Sequence, residues 1–360
     1  MGFVAHDLGV DLGTSNTLVY VRHKGIVINE PTIVVVDSTN ERKVRAVGDD
    51  AKIMLGRTTD GVMAVRPMRE GVITDFDMTG ILIQFFMRKA IGSSYLLRPR
   101  LFLSYPCSIS AIERRAVGEA AKYAGARKVF LVEKPFAAAL GCGLPVFEPN
   151  GCMVVDIGGG TTDVAVVSLG GVVISHSIRV GGVKMDEAII NYIKREFNIM
   201  IGDRTAEEVK LDLGSALPLH GERRARIRGR DMVTNLPQTT EITSTQIYEA
   251  IQEPCQAILR AIKWVLERTP PELAADVMHH GIYLTGGGLS LNRGGRDYLA
   301  AKLEKPVRDT VKRTIKLSSP IYASAMGLMD LIIDTIESRN VPASGFSGGI
   351  KDFFRSLLGG

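Results

Sequence analysis

Near its middle the chain reads Val154-Val155-Asp156-Ile157-Gly158-Gly159-Gly160-Thr161-Thr162-Asp163-Val164-Ala165-Val166-Val167. An apolar, β-branched run reaches an aspartate, breaks at glycines and threonines, and resumes as a second apolar run, which predicts two strands joined by a tight turn. Glycines without a Cβ let backbone N–H groups approach an anion, and hydroxyls add donors, so the turn is suited to a phosphate. Asp156 is placed to hold hydrated magnesium. A solvated hairpin turn is the alternative that this stretch alone leaves open.

The same order of residue types occurs near the N-terminus, as Leu8-Gly9-Val10-Asp11-Leu12-Gly13-Thr14-Ser15-Asn16-Thr17-Leu18-Val19-Tyr20-Val21. Two copies indicate two related halves, each offering one hairpin to a shared ligand. A third glycine turn follows a short apolar strand in Ile282-Tyr283-Leu284-Thr285-Gly286-Gly287-Gly288-Leu289-Ser290. Three such turns in one cleft suit a nucleoside triphosphate.

Length and composition limit the possible classes of protein. A chain of 360 residues is too long for one core of usual size, so two domains are expected. The net charge of +5, from 44 basic and 39 acidic residues, is compatible with an anionic membrane surface but too small to indicate nucleic acid as a partner. The sequence shows neither a membrane-spanning run nor a secretory signal, so we expect a cytoplasmic protein. The cysteines lack the spacing of a metal site.

These motifs resemble the phosphate and adenosine signatures of the superfamily that contains actin, sugar kinases and heat-shock chaperones, and most closely the bacterial actin MreB family, including Mbl. The resemblance covers residues 7 to 333 and extends to further segments: Arg66-Pro67-Met68-Arg69-Glu70-Gly71-Val72-Ile73, Met185-Asp186-Glu187-Ala188-Ile189, Ile201-Gly202-Asp203-Arg204-Thr205-Ala206-Glu207 and Thr269-Pro270-Pro271-Glu272-Leu273.

The resemblance implies an α/β, actin-like ATPase fold, a ribonuclease-H-like duplication with two domains that each carry a smaller subdomain. It implies the following division: residues 1–31 and 75–145 as subdomain IA, 32–74 as IB, 146–180 and 250–336 as IIA, 181–249 as IIB, and 337–360 as a flexible linker with an amphipathic helix.

The resemblance also implies ATP and magnesium as cofactors. The phosphates are expected at Thr14, Ser15, Asn16, Gly159, Gly160 and Thr161, and magnesium, through water, at Asp11 and Asp156. The rest of the nucleotide is expected at Glu207, Glu208, Val209, Lys210, Gly286, Gly287, Gly288, Leu289 and Ser290. Without the resemblance, Glu207 and Lys210 read as an exposed pair on a helix.

The sequence departs from the MreB pattern at Lys134. MreB proteins usually read Glu-Glu-Pro where this chain reads Glu133-Lys134-Pro135, and the residue before the proline orients the water that attacks the γ-phosphate. A charged lysine cannot accept a proton from water, so slow ATP hydrolysis is expected. Three arrangements are open: Glu133 takes over as the catalytic residue, Lys134 pairs with the γ-phosphate, or Lys134 points away from the site.

Two segments are candidates for membrane contact. One candidate is the loop that contains Tyr95, Leu96 and Leu97 before a predicted strand, where MreB proteins carry a membrane-contacting loop. In that interpretation Arg98 and Arg100 lie near lipid phosphates. In the alternative, the apolar residues fold back on the preceding helix. Near the C-terminus, Ile350, Phe353, Phe354, Leu357 and Leu358 lie at helical spacing after a linker. A helix this short needs a surface, which is a bilayer or the protein's own core.

Two helix predictions bear on how the site is built. Periodicity predicts one long amphipathic helix over residues 243–266, kinked at Pro254. Gly181 and Gly182 open another helix, and their N–H groups are suited to phosphates.

The resemblance therefore implies an ATP-binding bacterial actin homologue that polymerises on the inner face of the cell membrane and organises cell-wall synthesis to maintain rod shape. Paired antiparallel protofilaments and cell-wall elongation membrane proteins as partners come with the resemblance. An actin-like filament for plasmid or organelle partitioning is the alternative. A chaperone ATPase is disfavoured because only about 25 residues follow the last predicted helix, too few for a substrate domain, and a small-molecule kinase because no general base lies beside Lys134.

Overall fold

The computed structural model describes residues 6–38, 43–55, 61–288, 294–309 and 319–340, with side chains described as far as residue 333. In chain order the strands are β1 Asp7–Leu12, β2 Asn16–Val21, β3 Gly25–Pro31, β4 Val34–Asp37, β5 Val44–Val47, β6 Val62–Val65, β7 Met68–Arg69, β8 Val72–Ile73, β9 Arg100–Tyr105, β10 Lys128–Glu133, β11 Cys152–Ile157, β12 Thr162–Ser168, β13 Gly171–Ile178, β14 Ile199–Met200, β15 Arg224–Asp231, β16 Pro237–Thr243, β17 Ile282–Thr285 and β18 Val307–Asp309.

The helices are α1 Asp49–Met54, α2 Phe76–Ile91, α3 Ala111–Tyr123, α4 Lys134–Gly141, α5 Gly182–Phe197, α6 Asp203–Leu213, α7 Ser244–Ala250, α8 Gln252–Arg268, α9 Pro271–His280, α10 Gly295–Leu303 and α11 Ala323–Asn340, with 3-10 turns at Gly92–Leu97 and Pro320–Tyr322. Within the described residues, none of these helices is long and apolar enough to cross a membrane.

Two five-stranded sheets share one topology. Their strand orders are β10-β9-β1-β2-β3 and β13-β12-β11-β17-β18. In each sheet three consecutive strands form an antiparallel meander, and two later strands run parallel to the first strand of that meander. The repeat in the sequence therefore corresponds to two halves with the same strand order, each beginning with an Asp-containing hairpin.

Besides the two-stranded sheet β7-β8, two three-stranded sheets accompany these halves. One contains β5-β4-β6, and the other contains β14-β15-β16. They fall inside the segments 32–74 and 181–249 that the sequence assigns to subdomains IB and IIB. The division of the chain at those residues stays a prediction, because strand pairing does not fix a domain boundary.

Helices α4 and α11 join the halves. Helix α4 packs on β11 and β12, whereas α11 packs on β1, β2 and β9 and against α4 itself. A buried apolar cluster between the sheets takes Phe102 and Phe130 from the first and Val154 from the second. The helices approach so closely that a Cβ on Gly327 would lie 1.7 Å from the Ala137 carbonyl oxygen. Glycine at this crossing is what lets the backbones meet.

Local signals place several helix ends. Ser110 and Glu113 form the predicted capping box of α3. The prediction of one helix over residues 243–266 is wrong, because α7 ends before Ile251 and α8 begins after it. Pro254 lies in the first turn of α8, where its missing N–H costs no intrahelical hydrogen bond.

Candidate functional site

The three glycine turns meet in one cleft between the two large sheets. Asp11, on β1, lies opposite Ser104 of β9, and Asp156, on β11, lies opposite Thr285 of β17. The two aspartates thus occupy equivalent positions in the two halves. The cavity has a volume of about 290 Å³, and the sequence-predicted residues that line it are Asp11, Thr14, Ser15, Asn16, Lys134, Asp156, Gly159, Gly160, Thr161, Glu207, Lys210, Gly286, Gly287 and Gly288.

The first two hairpins face each other across this cleft. A Cβ on Gly159 would lie 2.0 Å from the Ser15 hydroxyl oxygen, and one on Gly160 would lie 2.2 Å from the Thr14 hydroxyl oxygen. Only glycine tolerates this approach, which brings the hydroxyls of one half against the backbone of the other. The Thr14 hydroxyl also accepts a hydrogen bond from the Gly71 amide at 3.1 Å.

The start of α5 closes the second hairpin from behind. The amide of Gly182 donates to the Gly158 carbonyl at 3.0 Å, and that of Val183 donates to the Gly159 carbonyl at 2.8 Å. The expectation that the Gly182 amide binds phosphate is therefore wrong, because this donor is already used to fix the turn. The third turn is held similarly, since the Gly288 amide donates to the Ile157 carbonyl at 2.7 Å.

Lys134 enters the cleft at the start of α4. Its ammonium nitrogen lies 3.2 Å from Asp156 Oδ2 and 3.8 Å from Asp11 Oδ1, and Asp11 Oδ1 also accepts a hydrogen bond from the Ser104 hydroxyl at 2.6 Å. Burial lowers the pKa of Lys134, but the carboxylates of Asp11, Asp156 and Asp163 outweigh it, so the pKa of Lys134 is raised and its charge retained. Burial raises the pKa of Asp156, an effect that the lysine partly offsets.

This arrangement removes two of the three possibilities for Lys134 and Glu133. Lys134 does not point away from the site. Glu133 faces a separate cavity with Tyr105 and Phe136, where burial raises its pKa against the opposing charge of Arg114. Glu133 is therefore not placed to orient water in the main cleft, because neighbouring side chains leave the chain on opposite sides.

The cleft does not fit a magnesium ion held between Asp11 and Asp156. Magnesium requires oxygen ligands at about 2.0–2.1 Å and keeps several waters around it. The ammonium of Lys134 lies in the space that such a hydrated ion needs, within 3.8 Å of both carboxylates. In the described part of the chain, no group of three or more His, Cys, Asp or Glu side chains is arranged to hold a metal ion. Magnesium held through water at Asp11 and Asp156 stays a prediction, and the position of the Lys134 ammonium disagrees with it.

Helix α6 presents part of its predicted nucleotide surface to the cleft. Glu207 and Lys210 line the cavity. Glu208 does not, since it is exposed and pairs with Arg204 at 3.0 Å, and Val209 is buried in the core. The helical period explains the split, because residues 207 and 210 share a face that residues 208 and 209 do not.

Two ion pairs surround that face. Lys210, nine-tenths buried, donates to Asp186 Oδ2 and to the Gly182 carbonyl, both at 2.9 Å. Burial raises the pKa of Asp186 to about 6, although Lys210 opposes this shift. Across the mouth of the cleft, Lys52 Nζ on α1 lies 3.1 Å from Glu207 Oε2. This contact joins one half of the molecule to the other.

Several cavity residues were not predicted as site residues. Ser104, Asp186 and Ser324 all line the cleft. Asp186 follows the Gly181-Gly182 turn by one helical turn, which is a usable signal, because residues four apart lie on one face. Ser104 and Ser324 carry no local signal, since they reach the cleft only through sheet pairing and helix docking.

The predicted membrane residues divide between described and undescribed parts of the chain. Leu96 is 84% exposed, Leu97 is half-buried, and Tyr95 folds back so that its hydroxyl donates to the Ala124 carbonyl. Arg100 is not available to lipid phosphates, because it pairs with Asp7 at 2.6 Å. Leu289, Ser290 and the tail positions Ile350, Phe353, Phe354, Leu357 and Leu358 lie outside the described residues.

Comparison with known proteins gives consistent matches along the chain. The family model for the MreB/Mbl protein matches residues 5–317. The chain is 47% identical over 323 residues to the cell shape-determining protein Mbl of Bacillus cereus, covering 90% of this chain and 94% of that protein. It is 48% identical over 294 residues to the cell shape-determining protein MreB of Escherichia coli, covering 81% and 85%.

Solved structures give the same answer for the fold. The crystal structure of MreB5 of Spiroplasma citri bound to ADP is 33% identical, with a TM-score of 0.85, covering 94% of this chain and 99% of that one. The AMPPNP-bound form of that protein also has a TM-score of 0.85, at 34% identity and 94% and 98% coverage. The MamK double helical filament, at 22% identity, has a TM-score of 0.73 and covers 92% and 99%. The expectation of an actin-like fold is confirmed.

Proposed function

Because this chain belongs to the MreB/Mbl family of cell shape-determining bacterial actin homologues, we propose that it binds ATP in the cleft and polymerises into filaments on the inner face of the cell membrane. There the filaments organise cell-wall synthesis and so maintain rod shape. One observation carries the nucleotide part of the proposal. Two hairpins with the same Asp-Gly-hydroxyl order, one from each half, face each other across one cavity.

The cleft offers distinct places for the parts of the nucleotide. Thr14, Ser15, Asn16 and the turn at residues 158–161 supply hydroxyls and backbone amides for the phosphates. We assign the ribose and adenine to Glu207, Lys210 and the turn at residues 286–288, all of which line the cavity. MreB5 of Spiroplasma citri has been solved with ADP and with AMPPNP, which supports nucleotide binding by this chain.

We assign ATP to the cleft but no protein-held magnesium, because the Lys134 ammonium lies between Asp11 and Asp156. Hydrolysis is proposed to be slow for the same reason. A protonated amine cannot take a proton from an attacking water, and the nearby carboxylates keep Lys134 protonated.

The proposal includes self-assembly and a place in the cell. The solved filament of MamK, which has the same fold, supports self-association, and paired antiparallel protofilaments and cell-wall elongation membrane proteins remain the expected partners; no nucleic acid is expected. The filaments would be cytoplasmic and peripheral to the membrane. Leu96, exposed beside half-buried Leu97, is the described residue best placed to enter a bilayer, together with the predicted tail helix at residues 350–358.

The test of polymerisation is sedimentation with electron microscopy. The purified full chain is centrifuged with ATP, with ADP and without nucleotide, and the pellets are imaged by negative stain. The proposal expects filaments and a larger pelleted fraction with ATP. A pelleted fraction that is the same in all three conditions, with no filaments in the images, contradicts it.

The membrane part is tested by flotation with vesicles that contain anionic lipid. The variants are a chain truncated after Asn340, which retains all of α11, and Leu96→Ser. Ile112→Ser is the matched control, because Ile112 on α3 is 82% exposed, nearly as much as Leu96 at 84%. We expect truncation and Leu96→Ser, but not Ile112→Ser, to reduce flotation. Equal flotation of all four chains contradicts membrane contact at these segments.

A further inference from the structure

We propose that the Lys134 ammonium is a built-in cation of the cleft, which lets a nucleoside triphosphate bind without a divalent metal ion. The inference rests on the proposed nucleotide site and adds the ionic form of the ligand that this site accepts. It follows from the position of the ammonium, from the donors that it has left, and from the charge around it.

The position of the ammonium is fixed by the fold. Lys134 is the first residue of α4, whose other residues are all buried, and its own side chain is only 13% exposed. The nitrogen lies 3.2 Å from Asp156 and 3.8 Å from Asp11. It is also 3.7 Å from the point where a Cβ of Gly158 would lie. The positive charge therefore lies next to the glycine turn at residues 158–161, which is proposed to bind the phosphates.

The Lys134 ammonium has an N–H donor that is available for a phosphate oxygen. A protonated lysine carries three N–H donors, and two carboxylates are its ion-pair partners among the described residues. Lys210, the other buried lysine that lines the cleft, differs in two ways. Its donors go to Asp186 and to the Gly182 carbonyl, and it lies on the wall assigned to the ribose and adenine. Lys134 is thus the cleft lysine that faces the turn assigned to the phosphates.

The charge balance explains why a cation is needed at this point. Asp11, Asp156 and Asp163 all act electrostatically on Lys134, and a triphosphate brings further negative charge into a buried space where such repulsion is poorly screened. In most sites of this kind a divalent ion supplies the opposing charge. Here the lysine already occupies the space between two of the carboxylates and can donate a charge-assisted hydrogen bond to a phosphate oxygen.

The test is the affinity of the full chain for ATP, measured by isothermal titration calorimetry with excess magnesium and again with excess EDTA. We expect the wild-type affinity to change by less than about threefold between the two conditions. Lys134→Gln removes the charge and leaves a polar side chain that is one atom shorter. We expect its affinity in EDTA to fall by about 10- to 100-fold relative to wild type, the range for one charge-assisted hydrogen bond, and to recover at least partly with magnesium.

Charge reversal provides a second variant and a matched control. Lys134→Glu should show a larger loss in EDTA than Lys134→Gln, and circular dichroism with thermal unfolding checks that both variants fold. If Lys134→Glu does not fold, the comparison rests on Lys134→Gln. The control is Lys184→Glu, the same substitution at a partly exposed residue that pairs with Glu70 and Glu187 and is not among the residues that line the cavity. It should bind ATP as wild type does in both conditions.

The outcomes separate this inference from the proposed function. If wild type loses as much affinity in EDTA as Lys134→Gln does, the built-in cation is refuted while the nucleotide site stands. If Lys134→Gln binds ATP in EDTA as tightly as wild type, the inference is refuted as well. If wild type binds no ATP in either condition, the nucleotide site itself is refuted, and the inference fails with it.

Discussion

Replacing Gly327 by alanine should force the two central helices apart and destabilise the junction between the halves. A Cβ at residue 327 would lie 1.7 Å from the Ala137 carbonyl oxygen and 2.6 Å from the Ala137 carbonyl carbon. Ordinary contact begins at 3.4 Å, so the helices must separate by about 1.7 Å. The obstacle is backbone, which no side-chain rotation can relieve.

The size of the effect follows from two opposing contributions. Overpacking a close-fitted interior costs typically 1–3 kcal/mol, and a backbone clash this short belongs at the upper end. Alanine in place of glycine in a helix returns about 1 kcal/mol through its better helix propensity. The net destabilisation is therefore about 2 kcal/mol, which lowers the thermal unfolding midpoint by about 3 °C for a chain of 360 residues.

The assay is thermal unfolding followed by circular dichroism, with Gly118→Ala as the control. Gly118 lies inside α3, and its added Cβ would meet only Leu131 Cδ1, at 3.5 Å. The same substitution should therefore stabilise the protein there, by up to about 1 kcal/mol. An unfolding midpoint for Gly327→Ala at or above that of wild type, with Gly118→Ala behaving as expected, refutes the close crossing of α4 and α11.

Two further predictions concern the cleft. Gly160→Ala places a Cβ 2.2 Å from the Thr14 hydroxyl oxygen, so the ATP affinity measured by calorimetry should fall at least about tenfold. The control is Gly171→Ala, whose added Cβ has no atom within 4 Å and which should bind ATP as wild type does. Equal ATP affinities of the two variants contradict the facing arrangement of the hairpins. Burial raises the pKa of the Asp186 carboxyl to about 6, above its ordinary 3.8. Between these two pH values the native state holds a proton that the unfolded state has released. The contribution of Asp186 to the free energy of unfolding is therefore lost as pH rises from about 4 to about 6. Urea midpoints measured across this range should fall less steeply for Asp186→Asn than for wild type, and parallel curves contradict the raised pKa.

Much of the architecture was predictable because its signals are local. An apolar run that ends in an aspartate, glycines and hydroxyl residues specifies a strand and a tight turn within a dozen residues, so both hairpins, and the repeat that relates them, are visible in the sequence. The capping box at Ser110 and Glu113 is equally local. The prediction was less reliable where a helical pattern was interrupted by a proline. Pro254 lies in the first turn of a new helix, α8, and does not bend a single long one.

The direction of individual side chains was less predictable than the elements that carry them. Residues 207–210 were all assigned to the nucleotide, but only Glu207 and Lys210 reach the cavity. The helical period separates these from Glu208 and Val209, yet which face meets the cleft depends on how α6 docks on its neighbours. Arg100 likewise pairs with Asp7, a residue 93 positions away in the chain. It was expected to lie near lipid phosphates.

The sequence by itself determined the strands and turns of both halves and their duplication, because these depend on residue order over a few neighbouring positions. It also showed that Lys134 stands where MreB proteins usually carry an acid. Only the tertiary structure decided what that lysine does. Its ammonium meets Asp156 from one half and Asp11 from the other, a contact that exists only once two separate sheets have packed around α4. Electrostatic interactions of this kind depend on distances through space, and no local pattern in the chain encodes them.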